Sequence, residues 1–518
     1  MTTQRFKHFR LGLGIFFLTF SGYYLPTYLQ PQTVLAQSTA NQNLGQNIEA
    51  DRLFQEAEQL VTNETKFVQA FSKYQQALRL YRQSGDTTKA NATRQRLETV
   101  LAAAAPLAAK YEQEMDKDEA AFLRQFPKTE DNQTIKQLGE LAASQLGIAI
   151  AGRPEDTWTV SGSQRKAYQD ISEELFNYLT VQGQNATISF AKVPPRLRDY
   201  LEKNADQITA IRNLLLNSET PRWGTDMSWI SEGNPASYKL PSYLGTIYLQ
   251  RIFALDMLYK QEQGKTKEAQ ETLEASWKLG QSLRNNPFII GQLANIISTR
   301  VQLGVMRKLD GLPSVWQQRL LEHDHRQSML QTLAGESIYA RTSYRWMMNN
   351  PDIALENAKE NTGEEFANNY LALGWSEWST SMRQTFLRWE SIAIYQSKTD
   401  VFKSLANENV CTWNFNNWRS TREPIYGGAL QESYLLSNFW FRTGRLMVES
   451  ELTQRILKIK EMGVTAQNLT NVPSVICPNA QWTYEFNSSP FLTQSSITLS
   501  PLPQWADSVQ RLPLTYGW

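Results

Sequence analysis

Apolar residues recur at steps of three and four through most of this chain, a spacing that commits it to amphipathic helices packed face to face. Leu53, Phe54, Ala57, Leu60 and Val61 make one such run, and Phe67, Ala70, Phe71, Tyr74, Ala77, Leu78 and Tyr81 the next. Leu244, Ile247, Tyr248, Ile252, Leu255 and Tyr259 line a third face; beyond Gly264, the residues Ala269, Leu273, Ser276, Trp277, Gly280 and Leu283 line a fourth. A helix with one apolar stripe has to bury it against a neighbour, and small residues such as Ala269, Ser276 and Gly280 let two backbones come close. Gly264 tolerates the backbone of a tight reversal. Another helix is expected from Asn286, a good N-cap, and Pro287, suited to a first turn, up to the stop signal Asp310-Gly311-Leu312-Pro313. Helical patterns also cover 165–180, 195–217, 315–348, 365–398 and 432–462. The expected fold class is all-α, an α-solenoid-like stack of helical hairpins.

Two of these pairs resemble a tetratricopeptide repeat. With residue 51 as the first of 34 positions, Phe54, Ala57, Ala70, Tyr74 and Ala77 fall where that repeat takes bulky, apolar, small, aromatic and small residues. Glu58 and Val61 depart from its usual Gly and Tyr, and 85–108 reads as a degenerate unit. With Ala269 at the twentieth position, Gly264 lands in the turn. Two units separated by more than 150 residues are not an array, so the resemblance implies a divergent solenoid. Near the C-terminus the pattern changes. Residues 482–486, WTYEF, alternate, and 495–499, SSITL, carry β-branched residues, so a small β hairpin is expected. The chain divides accordingly into 1–36, a helical region 37–150, a main helical domain 151–465 and a C-terminal segment 466–518.

Residues 1–36 read as an export signal. A basic start, QRFKHFR, precedes an apolar run of 15 residues, LGLGIFFLTFSGYYL, and Val34 and Ala36 are small residues before a cut. The run is shorter than the roughly 20 residues that span a bilayer, and no cysteine follows it for lipid attachment. The stretch Leu25–Ala36 is long for a cleavage region, so an uncleaved anchor is the alternative. Without residues 1–36 the chain keeps 49 basic against 51 acidic groups, a net charge of −2. That balance argues against a nucleic-acid binder and against electrostatic capture by a membrane surface, leaving membrane contact to an uncut N-terminal segment. Cys411 and Cys477 are the two cysteines. In an oxidising compartment an even pair suggests a disulfide, worth about 4 kcal/mol through loop closure. Two buried free thiols are the alternative.

Catalytic signals are sparse. Outside the N-terminal segment the histidines are His323 and His325, in Glu322-His323-Asp324-His325. Residues two apart on a helix face nearly opposite sides, so the pair is not expected to share a metal ion. No phosphate-loop, dinucleotide or Gly-x-Ser-x-Gly pattern appears, and no cofactor is expected. Leu333-Ala334-Gly335-Glu336-Ser337 resembles the Glu-Ser start of a lytic transglycosylase, which would make Glu336 a general acid. The Gly-Leu-Met-Gln stretch of that family is replaced by Tyr344-Arg345-Trp346-Met347-Met348. The structural alternative is a helix carboxylate paired with Arg341 or Lys308. Leu371, Trp375, Trp378, Met382, Phe386, Trp389 and Ala393 form one stripe, read as core on a single helix rather than a sugar-stacking platform. Trp223 and Trp229 lie in a long loop, 219–244, with no periodic explanation, and are the candidate ligand contacts.

The order of Pro221-Arg222-Trp223, Gly264, Glu268-Ala269, Asn286-Pro287, Gln292-Leu293 and Gly335-Glu336 is similar to an uncharacterised family of exported helical proteins from planctomycetes and cyanobacteria. Cys477-Pro478 followed by Trp482 and Tyr484 also resembles exported cyanobacterial proteins. The resemblance implies a helical fold and an extracytoplasmic place, such as the periplasm of a Gram-negative bacterium, and transfers no catalytic residue. The function expected is that of an envelope scaffold or binding protein recognising a protein or peptide partner without catalysis. The alternative is a glycan-binding or peptidoglycan-acting enzyme.

Overall fold

Each apolar run becomes a helix whose stripe faces a neighbour. The computed structural model describes residues 39–150, 160–233, 243–351, 373–414, 427–463, 469–488, 493–506 and 512–518; the segment read as an export signal, the loop part 234–242 and residues 365–372 lie outside them. Helices α1 (Thr39–Leu60) and α2 (Phe67–Ser84) form a hairpin that buries Leu53, Ala57, Ala70, Tyr74 and Ala77. Phe54 packs edge-on to Tyr74, with ring centroids 5.7 Å apart. Glu58 accepts from the Tyr74 hydroxyl at 2.5 Å and from Arg96 at 2.7 Å, which ties α3 (Thr87–Ala103) onto the pair. A long α4 (Ala105–Gln125) follows, with proline in its first turn.

Four helices, α5 (Gln133–Leu146), α6 (Gly162–Gln184), α7 (Pro195–Lys203) and α8 (Ala205–Asn217), lead to α9 (Tyr243–Glu262), α10 (Thr266–Gln281) and α11 (Ile289–Met306). Gly264 reverses the chain between α9 and α10 at φ 72°, a conformation that strains any residue with a Cβ. The small positions Ala269, Ser276 and Gly280 are buried where α9, α10 and α11 meet. A polar staple sits among them. Gln250 Nε2 and Gln302 Nε2 both donate to the Ser276 carbonyl, at 2.8 and 2.7 Å. Buried groups so satisfied fix the register of three helices, because any slip strands a polar atom away from water.

Beyond α11 come α12 (Val315–Glu322), α13 (His325–Asn349), α14 (Thr380–Asn407) and α15 (Gly427–Met462). Four boundaries differ from the periodic reading: the helix expected over 195–217 breaks at Asn204 into α7 and α8, and three more follow. The helix expected over 315–348 is broken into α12 and α13, because Asp324 turns its carboxylate onto the Gln327 N–H, 2.8 Å away, as an N-cap. The helix expected over 365–398 begins at Thr380. Its N-cap is Ser379, and Trp375–Glu377 is a separate 3₁₀ turn. Asn286 caps only a turn, accepting from the Phe288 N–H at 3.0 Å; α11 itself starts three residues later, at Ile289.

The chain ends in a small antiparallel sheet, β1 (Val472–Pro473), β2 (Gln481–Ser488), β3 (Thr493–Ser500) and β4 (Thr515–Gly517), in that spatial order. The expected hairpin is β2–β3, with Trp482 opposite Leu499 and Tyr484 opposite Ile497. Trp482, Ile497 and Leu499 are buried against Val448, Leu452 and Ile456 of α15. Cys411 and Cys477 are bonded, with Cα atoms 5.5 Å apart, and fasten the turn after α14 to the chain entering β2. A buried ionic web docks the same region. Glu449 lies between Arg300 at 2.7 Å and Arg445 at 3.1 Å, and Arg445 also donates to the Ala506 and Leu512 carbonyls.

The apolar interior is organised by long-range closure as well as by hairpins. Phe67 and Phe71 of α2 pack on Trp389 and Phe386 of α14, with Phe67 and Trp389 centroids 4.4 Å apart. The first half of α14 thus completes the core of α1–α4. Its second half, through Val401 and Leu405, joins the larger core around α9–α11. Among the described residues no helix is long and apolar enough to cross a membrane.

Candidate functional site

A cleft is made by three chain segments that hold one another by short polar contacts. Asn132 begins it. Its side-chain oxygen caps α5 through the Ile135 N–H at 3.0 Å and accepts the Arg222 N–H at 3.1 Å. Its amide nitrogen donates to the Thr220 carbonyl at 2.9 Å. One asparagine therefore starts a helix and pins a loop 90 residues downstream. Thr129 and Thr225 then exchange backbone hydrogen bonds of 2.8 and 3.0 Å, a single rung of antiparallel pairing. Gly224 permits this approach, since a Cβ there would lie 2.7 Å from the Thr129 carbonyl oxygen and 2.8 Å from Asp131 N.

After the rung the loop is stabilised by Asp226. Its carboxylate accepts the Ser228 N–H at 3.0 Å and pairs with Lys128 at 2.9 Å. The backbone N–H first, and then the Lys128 ammonium, hold this carboxyl down to about 2. A helical turn, Ser228–Ser231, follows and sends Trp229 into a cluster with Phe288, Phe122, Met227 and Ile338. The third wall is 281–288. Asn286 donates to the Tyr243 hydroxyl at 2.6 Å, and Thr220 donates to Gln281 at 3.2 Å, which closes the ring of contacts.

The cleft enclosed by residues 125–132, 219–232 and 281–288, with Tyr243 beside them, measures about 690 Å³. That is within the usual range for a bound ligand. Both loop tryptophans line it, but as walls: Trp223 is 8% and Trp229 2% exposed. Around them stand Phe126, Phe288, the amides of Asn132, Gln281, Asn285 and Asn286, and several hydroxyls. Four carboxylates, Asp131, Glu219, Asp226 and Glu232, face a single guanidinium, Arg222. Among the described lining residues there is no histidine, cysteine or lysine. Such a lining offers hydrogen bonds, ring surface and negative charge, which is equipment for holding a ligand.

The other candidates fall elsewhere. Glu336 accepts the Ile289 N–H at 3.0 Å and so caps α11; neither Arg341 nor Lys308 is the partner. Arg341 instead bonds Asp116 and Glu119 of α4. Lys308 donates to the Asn185 carbonyl at 2.8 Å and to the Thr187 carbonyl. Trp375, Trp378 and Trp389 are buried core, although a turn rather than one helix carries the first two. The argument that keeps His323 and His325 apart fails, because the helix breaks between them and brings the rings edge-to-face at 4.6 Å. Burial, and then Arg284, push His323 down to about 4; burial, the neighbouring His323 and Arg284 hold His325 well below 6.5. Among the described residues no group of three or more His, Cys, Asp and Glu gathers as metal ligands. The residues that sequence reasoning missed are Asn132, Gly224 and Asn286 as cleft builders, because their contacts with distant segments are set only by tertiary folding.

No protein-family model, curated protein or solved structure matches this chain.

Proposed function

We propose that this is an exported binding protein of the bacterial cell envelope, which holds a segment of a protein partner in the 690 Å³ cleft. The cleft itself carries the reading. Its two loop tryptophans are set into the walls; Asn132, Asn286 and Thr220 are spent on building it, and the Asn285 amide and Thr225 hydroxyl suit the carbonyls and N–H groups of an extended peptide. Export is supported by the signal-like residues 1–36 and by the bonded cysteine pair, since such bonds persist in oxidising compartments. The binding reading is also favoured over the peptidoglycan-cleaving alternative by Glu336, which spends one carboxylate oxygen on the Ile289 N–H at the start of α11.

Photo-crosslinking in intact cells tests the reading. A photoreactive residue replacing Ser228 on the cleft rim should yield one or a few defined protein adducts. The same residue replacing Lys166, exposed on α6 and outside the cleft lining, should not yield them. Identical adduct patterns from both positions would defeat the proposal. So would a murein zymogram cleared by the native chain and not by Glu336→Gln.

A further inference from the structure

The third wall of the cleft is its least regular part. Residues 282–285 are turns rather than helix: the Arg284 N–H reaches the Gln281 carbonyl at 3.2 Å and the Asn286 N–H the Leu283 carbonyl at 3.3 Å. A segment with so few backbone bonds opens at lower cost than the helices beside it. Two side chains hold it from behind. Gln292 of α11 donates to the Arg284 and Asn286 carbonyls at 2.7 and 3.1 Å, and Thr332 of α13 donates to the Asn286 carbonyl at 3.1 Å. Arg284 itself does not line the cleft. Its guanidinium lies over the Trp277 ring at 4.4 Å, and its charge acts on the histidine pair where α12 meets α13.

That pair sits where positive charge is hardest to add. His325 is 8% exposed and meets His323 edge-to-face, and His323 Nε2 lies 3.1 Å from the Ser328 hydroxyl. The charged groups around the rings offer little to balance an imidazolium. The wall contributes Arg284, of the wrong sign. From α12 come Arg319, paired with Glu274, and Glu322, which is exposed. From α13 come Asp324, whose carboxylate caps the helix, and Arg326, which donates to the Ala406 carbonyl at the end of α14. Glu461 of α15 is spent on Gln317, and α11 has no titratable side chain before Arg300, itself bonded to Glu449. Resting on the binding reading above, we infer that His323 and His325 form an acid latch behind the cleft: while both are neutral the 281–288 wall stays closed on the bound segment, and protonation, which sets new positive charge beside Arg284, opens it. An open wall gives the rings and Arg284 to water, where their charges are solvated and screened; the closed wall keeps them together in a dry site. Burial, together with Arg284, keeps both imidazoles neutral near neutral pH, so the latch is shut there.

Amide exchange on the ligand-free, disulfide-bonded chain tests the latch, with rates corrected for the pH dependence of intrinsic exchange. As pH falls from 6.5 to about 4, the opening constant of 281–288 should rise by up to about a hundredfold per pH unit, about tenfold for each imidazole that charges on opening. In the same samples α1–α4 should keep their protection. His323→Gln leaves one titrating ring and should cut the dependence to about tenfold per pH unit. His323 is half-buried, and an equal melting temperature at neutral pH verifies the variant's fold. Arg284→Gln, which keeps both rings and removes the neighbouring charge, should narrow the pH range over which opening rises. Exchange in 281–288 that is flat with pH, or that depends on pH alike in the native chain and both variants, overturns the latch. So does a rise shared equally by α1–α4, which would be global unfolding in acid. With no ligand in the experiment, its outcome stands apart from the binding reading, which the Ser228 crosslinks decide.

Discussion

His323 and His325 show how much one cap residue changes. Asp324 breaks the helix, and the two rings that a continuous helix would separate come into contact beside Arg284. Both imidazoles resist protonation in the folded chain, whereas in the unfolded chain they titrate near 6.5. Between 6.5 and about 4 the unfolded state therefore binds protons that the folded state refuses, and stability declines as pH falls through that window. The depressed carboxyl of Asp226 acts in the same direction, but only below 3.8, its ordinary value. Melting temperatures followed down this range should drop for the native chain and drop less for His323→Gln. Parallel curves would mean that the pair does not govern acid sensitivity. At this scale the sequence was partly readable. Trp223 and Trp229 stood out because no helical period explained them, and both line the cleft. Asn132 could not stand out, because its partners Thr220 and Arg222 are fixed only by tertiary folding. The histidine geometry was misread because a helix was assumed to run through its own cap.

For elements, apolar rhythm found the helices and missed their ends. The four-three step from Trp375 to Ala393 continues across a 3₁₀ turn and a Ser379 cap without a stumble, since a tight turn and a helix place apolar residues on the same side of the chain. Rhythm reports which side is buried; capping reports where the hydrogen-bond ladder starts. Glu336 illustrates a cap that sequence cannot reveal, because it comes from α13 and serves α11 across 47 residues. The orphan N–H groups of a helix start donate to any well-placed oxygen. Glu336→Ala should cost about 1 kcal/mol in denaturant unfolding, and Glu336→Gln, which keeps the acceptor, should cost much less. Equal losses from both substitutions would point to a role for the carboxylate charge itself.

Across the whole molecule, α14, alongside α13, makes one body of two cores. Trp389 is fully buried between Phe67, Phe71 and Tyr111 from α2 and α4. Truncating it should destabilise the chain by about 3–5 kcal/mol. Amide exchange in Trp389→Ala should rise first in α1–α4, while α9–α11 hold their protection; a uniform rise would contradict the division into two cores. This closure was invisible to periodicity, which sees neighbours in sequence and not partners in space. It also sets a schedule for synthesis. Arg82 of α2 waits for Glu377, 295 residues further along the chain. At about 5–20 residues per second, the ribosome needs roughly 15–60 s to deliver that partner. For that interval the α2 face that packs on α14 lacks its cover, so a chain truncated before Thr380 should leave Phe67 and Phe71 open to water and aggregate faster than the full chain.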